Sequence, residues 1–188
     1  MKLFKYSFFA IALLLILAPA AAWAQDKSKT EAKNKRKHAG KVEKEYDRAT
    51  NQTKLKFSIF PITCVQPGAC IFFSLETSFT GTKPETPPDK YLFALYIFTK
   101  TIEPFADTTL YARVDGEVIN LGEMTYAGTE SKDDLKGMAY GINLDGKAVA
   151  RLAQAKKVDM RIGGLQFPLG EDEINAIWDL HNQATSSQ

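Results

Sequence analysis

The stretch YLFALYIFT, residues 91–99, contains no charged residue and is apolar at nearly every position. Successive side chains of a β-strand point to opposite faces of the sheet, so this run would present apolar side chains on both faces. Such a run is typical of a buried central strand. We therefore predict that residues 91–99 form the central strand of a sheet that is covered on both sides.

The stretches around this strand alternate between apolar and polar residues. In KLKFSIFPI (54–62) and CIFFSLETSF (70–79), one set of alternate positions is mostly apolar and the other mostly polar. This pattern is typical of antiparallel strands with one buried face. Between TLYARV and EVINLG, Asp115-Gly116 favours the positive φ angles of a type I′ hairpin turn. VEKEYD and TKLKFS are expected to form another hairpin across residues 48–52.

Two stretches are predicted to be loops. TGTKPETPPDK (80–90) carries three prolines, which favour an exposed connection between strands. ESKDDLKG (130–137) is polar and is read as a second loop. The following residues, Met138 to Leu144, are predicted to form a further strand.

The last part of the chain has two helical patterns. Residues Lys147 to Ala155 are expected to form a short helix with Asp145 as its N-cap. KVDMRIGG and LQFPL then read as two short strands joined at Gly163-Gly164. In LGEDEINAIWDLHNQ, apolar residues recur at helical spacing and acidic residues fill the first turn, where the helix dipole favours anions.

These elements together predict a mainly β fold. About seven to nine short strands are typical of a β-sandwich or a curled antiparallel sheet. We expect one short helix and a C-terminal helix to pack on it.

The N-terminus has the order of a secretory signal peptide. Lys2 and Lys5 precede the apolar run Phe8 to Leu17, which is followed by Pro19 and by Ala22-Trp23-Ala24. An uncleaved membrane anchor is the alternative, but the run is shorter than the roughly 20 apolar residues that a span requires. We therefore predict that residues 1–24 are a signal peptide cleaved after Ala24, which places the protein in the periplasm or outside the cell.

The following segment, residues 25–41, is predicted to be a disordered basic arm. It has seven basic and two acidic residues, a net charge of +5, and no aliphatic residue larger than alanine. Residues 42–188, with 15 basic and 20 acidic residues, form a single globular domain with a net charge of −5. The arm is either a solubilising linker or a tether. As a tether it would bind an anionic envelope component such as lipid or lipopolysaccharide, nucleic acid, or the acidic face of its own domain. The residues expected to make such contacts are Lys33, Lys35, Arg36 and Lys37.

Both cysteines of the chain, Cys64 and Cys70, lie in TCVQPGAC (63–70). Two cysteines without a nearby histidine or further cysteines do not complete a tetrahedral zinc site. A catalytic redox pair usually has two intervening residues, whereas this pair has five. Pro67-Gly68 favours a turn, and export favours oxidation, so we predict a disulfide between the two cysteines. A redox role remains the alternative.

No catalytic motif is evident in the sequence. His181 is the only histidine of residues 42–188, and it falls on the apolar stripe of the last helix, where a packing role is expected. A glycosidase-like hydrolase would need only two carboxylates within roughly 5–10 Å. The candidates for such a pair are Glu76, Glu103, Asp107 and Glu123. Neither a metal nor another cofactor is expected.

Tyrosines on the predicted strands offer a second type of site. Aromatic side chains that face outward could line a groove for a carbohydrate or a peptide, although cross-strand packing is the commoner role of such residues. The tyrosines concerned are Tyr91, Tyr96, Tyr111, Tyr126 and Tyr140.

Three stretches together resemble a group of uncharacterised secreted bacterial proteins with a β-rich domain. They are YDRATNQTKL (46–55), ARVDGEVINLG (112–122) and LAQAKKVDMRIGGLQFPLGEDEINAIWDL (152–180). The resemblance covers most of residues 42–182 and implies a β-rich domain that ends in a strand pair and a helix. It implies no catalytic residues and no activity.

The sequence thus predicts an exported, non-enzymatic β-rich domain that acts as a binding or structural module of the cell envelope or the extracellular space. A carboxylate-dependent envelope hydrolase is the alternative. The protein is expected to be a monomer or a weak oligomer, and no nucleic acid is expected among its partners.

Overall fold

The computed structural model describes residues 36–38, 40–57, 60–65, 69–99, 103–132 and 135–186. They contain eleven strands and two helices. The strands are β1 (Val42–Asp47), β2 (Gln52–Phe57), β3 (Phe60–Val65), β4 (Ala69–Thr80), β5 (Lys90–Thr99), β6 (Thr109–Val114), β7 (Glu117–Glu123), β8 (Thr125–Lys132), β9 (Leu135–Asp145), β10 (Val158–Ile162) and β11 (Leu165–Leu169). The helices are α1 (Gly146–Gln154) and α2 (Glu171–Thr185).

The strands form two antiparallel sheets, which confirms the predicted mainly β fold with a short helix and a C-terminal helix. The larger sheet has the order β1-β2-β4-β5-β9-β8, and β3 also pairs with β4. The smaller sheet has the order β11-β10-β6-β7. Strands β2 and β3 lie along different parts of β4, because β2 pairs with residues 76–80 and β3 with residues 69–73.

One hydrophobic core includes residues of both sheets and both helices. The larger sheet contributes the odd-numbered positions of β4 and β5, which point to the same side. The smaller sheet contributes alternate positions of β6, β10 and β11, and α2 contributes Ile174, Ile177 and Leu180. The alternating pattern read from the sequence therefore marks the side of each strand that is buried.

Strand β5 lies between β4 and β9, as predicted for a central strand. Its odd-numbered side chains are fully buried, whereas Leu92 is 42% and Phe98 39% exposed on the other face. The prediction that β5 is covered on both sides is therefore wrong. The core elements of the described chain lie on the odd-numbered side, so the outward apolar side chains face solvent.

The hairpin between β6 and β7 has the predicted turn chemistry. Asp115 has φ 50° and Gly116 has φ 97°, both in the left-handed region that a type I′ turn requires. Between β10 and β11, Gly163 also has a positive φ, of 53°. A Cβ atom at Gly163 would lie 2.9 Å from Cδ1 of Phe105, so both the backbone and the packing require glycine there.

Helix α1 begins as predicted, because Oδ1 of Asp145 accepts a hydrogen bond from the Ala148 amide at 2.6 Å. The predicted loop at residues 130–137 is wrong. Strand β8 continues to Lys132 and β9 begins at Leu135, which leaves residues 133–134 outside the described residues. Strand β8 is an edge strand with the mostly polar sequence TYAGTESK. Its backbone pairs with β9, but its sequence lacks the apolar alternation by which a strand is predicted.

His181 packs against the core, as expected from its place on the apolar stripe. Its Nδ1 lies 3.0 Å from the hydroxyl oxygen of Tyr91, and the two rings are 5.8 Å apart. Burial raises the pKa of Tyr91 to about 12 and lowers the pKa of His181. Both shifts favour the neutral forms, which suits a pair held within a packed region.

We expect the imidazole of His181 to titrate below its ordinary pKa of 6.5. Because the folded-state pKa is the lower one, protonation favours the unfolded chain, and the free energy of unfolding falls as the pH drops below 6.5. NMR titration of the His181 ring protons in a His38→Gln variant measures this pKa without overlap from the other histidine. A pKa at or above the ordinary value would contradict the expectation.

Candidate functional site

The outward surface of the larger sheet carries a group of apolar side chains, which we call the open face. Cross-strand partners point to the same side of a sheet, so the register identifies its members. Phe72 of β4 faces Tyr96 of β5, and Tyr96 faces Ala139 of β9. The members are Phe72, Leu92, Ala94, Tyr96, Phe98, Gly137, Ala139 and Gly141.

The open face has an aromatic part and a flat part. The rings of Phe72 and Phe98 meet edge to face, with centroids 5.3 Å apart and an interplanar angle of 83°. On β9, Gly137, Ala139 and Gly141 have small side chains or none, and they form a low strip beside the aromatic residues. The open face is therefore a nearly flat apolar surface.

A polar boundary lies at one end of the open face. Glu76 faces Leu92 across the strands, and its Oε1 lies 2.8 Å from Nζ of Lys54 on the neighbouring β2. Asn143 faces Leu92 from the other side, on β9. The apolar centre of the open face is thus bounded by an ion pair and an amide.

The disulfide lies at the other end. Cys64 and Cys70 are joined, with their sulfur atoms 2.06 Å apart, and they face each other in β3 and β4. Cys70 is also the cross-strand partner of Phe98, which places the disulfide beside the open face. The predicted turn at Pro67-Gly68 lies outside the described residues.

A second surface lies where the end of the predicted arm meets the domain. A groove of about 640 Å³, which we call the basic groove, has four cationic residues in its lining. They are Arg36, Lys37, Lys156 and Lys157. Its remaining lining is apolar apart from Glu171 and Asn175. The other two arm residues expected to make contacts, Lys33 and Lys35, lie outside the described residues.

The described residues of the arm, 36–38, lie along helix α2 and contact it. The Cζ atom of Arg36 lies 4.9 Å from the ring centroid of Trp178, and Nη1 of Arg36 donates to the Ala153 carbonyl at 3.2 Å. Asn175 donates its side-chain amide to the Lys37 carbonyl at 3.0 Å. Nε2 of His38 lies 3.2 Å from Oδ2 of Asp179. At residues 36–38 the chain therefore makes specific contacts, which differs from the disorder expected for the arm.

The four candidate carboxylates have different partners. Glu76 pairs with Lys54, and Oε1 of Glu103 lies 2.6 Å from Nζ of Lys136. Glu123 is exposed at the end of β7. Glu76 and Glu103 thus each form an ion pair with a lysine.

Asp107 accepts a hydrogen bond from the Thr109 amide at 2.9 Å. Hydrogen bonds from the backbone and side chain of Thr109 lower the pKa of Asp107. A glycosidase general acid needs a raised pKa, so this shift argues against Asp107 as the acid of such a pair, while the second carboxylate of a pair stays ionised.

The five candidate tyrosines do not form one surface. Tyr91 and Tyr140 are buried in the core, and Tyr126 lies against Tyr140 with the ring centroids 5.3 Å apart. Tyr111 lies beneath Arg161, whose Cζ is 4.8 Å from the ring centroid. Tyr96 alone among the five belongs to the open face.

Of the outward residues of β5, the sequence singled out Tyr96 but not Leu92 or Phe98, and it did not single out Lys156 and Lys157. The two lysines are adjacent in AQAKKVD, between a helical and a strand pattern. This pair of neighbouring basic residues could have indicated a cationic surface. For the open face, the sequence shows that both faces of β5 are apolar. It does not show which of the two faces is covered in the folded chain.

In the part of the chain that the structure describes, no three histidine, cysteine, aspartate or glutamate side chains are grouped as a metal site would need. Neither α1 nor α2 has the length and apolar character needed to cross a membrane.

Comparisons with protein-family models, curated proteins and solved structures found no match to this chain. The similarity to secreted bacterial proteins that its turns and strands suggest therefore stays a prediction.

Proposed function

We propose that this protein is an exported binding module, without a catalytic activity of its own, whose contact surface is the open face. The observation that carries the proposal is the exposure of Leu92 and Phe98 next to Phe72 and Tyr96 on the central strands of the larger sheet. Apolar side chains that cluster on a surface mark contact sites more often than isolated ones do.

The composition of the open face supports a protein or envelope partner with a flat apolar surface. Contact surfaces have centres that are rich in aromatic residues and poor in charge, with polar residues at the rim. Here the centre holds two phenylalanines, a tyrosine and a leucine, while the Lys54–Glu76 ion pair lies at the boundary. The low strip of β9 would allow a partner to approach the sheet closely.

The proposed location rests on the signal-peptide pattern of residues 1–24 and on the disulfide. Disulfides form and persist mainly in oxidising compartments such as the periplasm and the extracellular space. The joined Cys64–Cys70 pair suits such a compartment. We therefore assign the binding module to the cell envelope or the extracellular medium.

Photo-crosslinking in the producing cells tests the contact surface. A benzophenone amino acid placed at Leu92 is expected to give one major adduct, because this side chain is exposed within the open face. Val118 of β7 is the matched control, since it is 57% exposed but lies on the smaller sheet. The Leu92 adduct should disappear when Phe98→Asp is added, because a charge then replaces part of the apolar centre.

Equal adducts from the Leu92 and Val118 positions, or an adduct unaffected by Phe98→Asp, would contradict the assignment of the contact surface.

The same cells test the location. The intact mass of the fractionated protein should correspond to a chain that begins at Gln25, whereas a cytoplasmic chain that retains residues 1–24 would contradict export.

A further inference from the structure

We propose that the basic groove binds the phosphate-bearing headgroup of an anionic lipid. This site is separate from the open face, and the inference does not depend on the function proposed for that face. Four properties of the groove support it: its local charge, its apolar floor, the anchoring of its lysine pair and the anchoring of its arm residues.

The charge of the groove is opposite to that of the domain around it. Residues 42–188 carry a net charge of −5, yet the groove lining has four cations and one carboxylate, Glu171. Nζ of Lys157 also lies 3.5 Å from Oδ2 of Asp159, a loose contact that leaves this lysine exposed. A cluster of cations on an acidic domain favours an anionic ligand.

The floor of the groove is apolar. Pro168 is exposed in the groove, the edges of Leu169, Ile174 and Ala155 reach it, and Val158 lies fully buried beneath them. An inorganic phosphate would contact the cations of the groove but would make no use of its apolar lining. A ligand with a charged head and an apolar remainder matches both parts of the lining, which favours a lipid over a free anion.

The lysine pair is held by the turn of the neighbouring hairpin. Oδ1 of Asp115 accepts hydrogen bonds from the amides of Lys156 at 3.0 Å and Lys157 at 2.9 Å. The Asp115 amide in turn donates to the Lys157 carbonyl at 3.0 Å. The backbone that carries the two lysines is thereby fixed before any ligand binds, which reduces the entropy lost on binding.

The other side of the groove is formed by the end of the arm. Arg36 is stacked on Trp178, and the Lys37 carbonyl is held by Asn175, while the Lys37 side chain is exposed. In the sequence, residues 25–35 precede Arg36 and contain four further lysines.

Vesicle co-sedimentation of the full exported chain tests the proposal. Vesicles of phosphatidylcholine mixed with phosphatidylglycerol should bind the protein, and vesicles of phosphatidylcholine alone should not. The variant Lys156→Gln/Lys157→Gln is expected to bind about tenfold to thirtyfold more weakly, since two cations are lost. The matched control Lys90→Gln/Lys147→Gln removes the same charge from exposed positions outside the groove and should change binding less than about threefold.

Two single variants separate this site from general charge attraction. Glu171→Gln removes the carboxylate of the lining and should strengthen binding about fivefold. Asp115→Ala should weaken binding because it releases the Lys156–Lys157 backbone, whereas Asp115→Asn loses the same charge but keeps an acceptor oxygen and should bind at least as tightly as the unaltered chain. Equal effects of the groove pair and the control pair would overturn the proposal.

Competition identifies the ligand class. Inorganic phosphate at the lipid-phosphate concentration should not displace the chain from vesicles, and displacement would mean that the groove takes a free anion. Binding of a single-stranded oligonucleotide with the same dependence on Lys156 and Lys157 would assign the groove to nucleic acid and overturn the lipid assignment. Loss of vesicle binding in Leu92→Asp, a variant of the open face, would also overturn it.

Discussion

Replacing Phe73 with alanine is expected to lower the free energy of unfolding by about 3–5 kcal/mol. Phe73 is fully buried on β4, with its ring centroid 5.0 Å from that of Phe57 and 5.4 Å from that of Phe93. Alanine would remove the contacts with both rings and leave a cavity in the centre of the shared core, where neighbouring strands cannot close in.

The adjacent residue provides the matched control. Phe72 has the same side chain on the same strand, but it lies on the open face and is partly exposed. Phe72→Ala should lower the free energy of unfolding by less than Phe73→Ala does, because it loses only the edge contact with Phe98, about 0.5–1.5 kcal/mol, and a smaller buried area. Chemical denaturation followed by circular dichroism gives both values.

The comparison tests the open face as well as the core. A large loss of stability in both variants would mean that the outward side of β4 is covered in the folded chain, contrary to the structure. A small loss in both would mean that Phe73 is not part of a tightly packed core. In either case the assignment of inward and outward positions on β4 would be wrong.

Removing the disulfide is expected to lower the free energy of unfolding by about 2–2.5 kcal/mol, because the cross-link restricts a short loop of the unfolded chain. The joined residues, Cys64 and Cys70, are six positions apart. Denaturation of the native chain with and without dithiothreitol measures this difference. The variant Cys64→Ser/Cys70→Ser should have the stability of the reduced native chain, with and without dithiothreitol.

Thiol titration of the native exported chain complements this measurement. No thiol should react before reduction, and both cysteines should react after reduction and unfolding. Two reactive thiols in the untreated chain would contradict the disulfide and would favour the redox alternative.

Local sequence chemistry predicted much of the fold. Asp115-Gly116 predicted the turn between β6 and β7 because few residue pairs accept two positive φ angles. Asp145 predicted the start of α1 because its side chain caps a helical amide. The apolar run at residues 91–99 predicted the central strand. Each of these features depends on a few neighbouring residues.

Features that depend on distant parts of the chain were not predictable in the same way. The periodicity of β5 shows that both faces are apolar, but the covering of each face depends on where the small sheet and the helices pack. Strand β8 is held by backbone pairing with β9, which a polar edge sequence does not reveal.

In the basic groove, too, some features depend on neighbouring residues and others on distant parts of the chain. Arg36 and Lys37 stood out by local charge, whereas their proximity to Lys156 and Lys157 requires the tertiary fold. The four cations line one groove because the turn at Asp115 contacts residues 156–157 and because residues 36–38 lie along α2. Charge composition therefore indicated part of the groove, and topology completed it.

The contacts of residues 36–38 determine where a shortened chain can begin. A boundary at Val42, which composition suggests, would remove the guanidinium that covers Trp178 and the imidazole beside the largely buried Asp179. An aromatic surface and a carboxylate on α2 would then face water without their native neighbours. A protein fragment intended for binding or crystallisation experiments should therefore start before Arg36, so that its last helix keeps its natural cover.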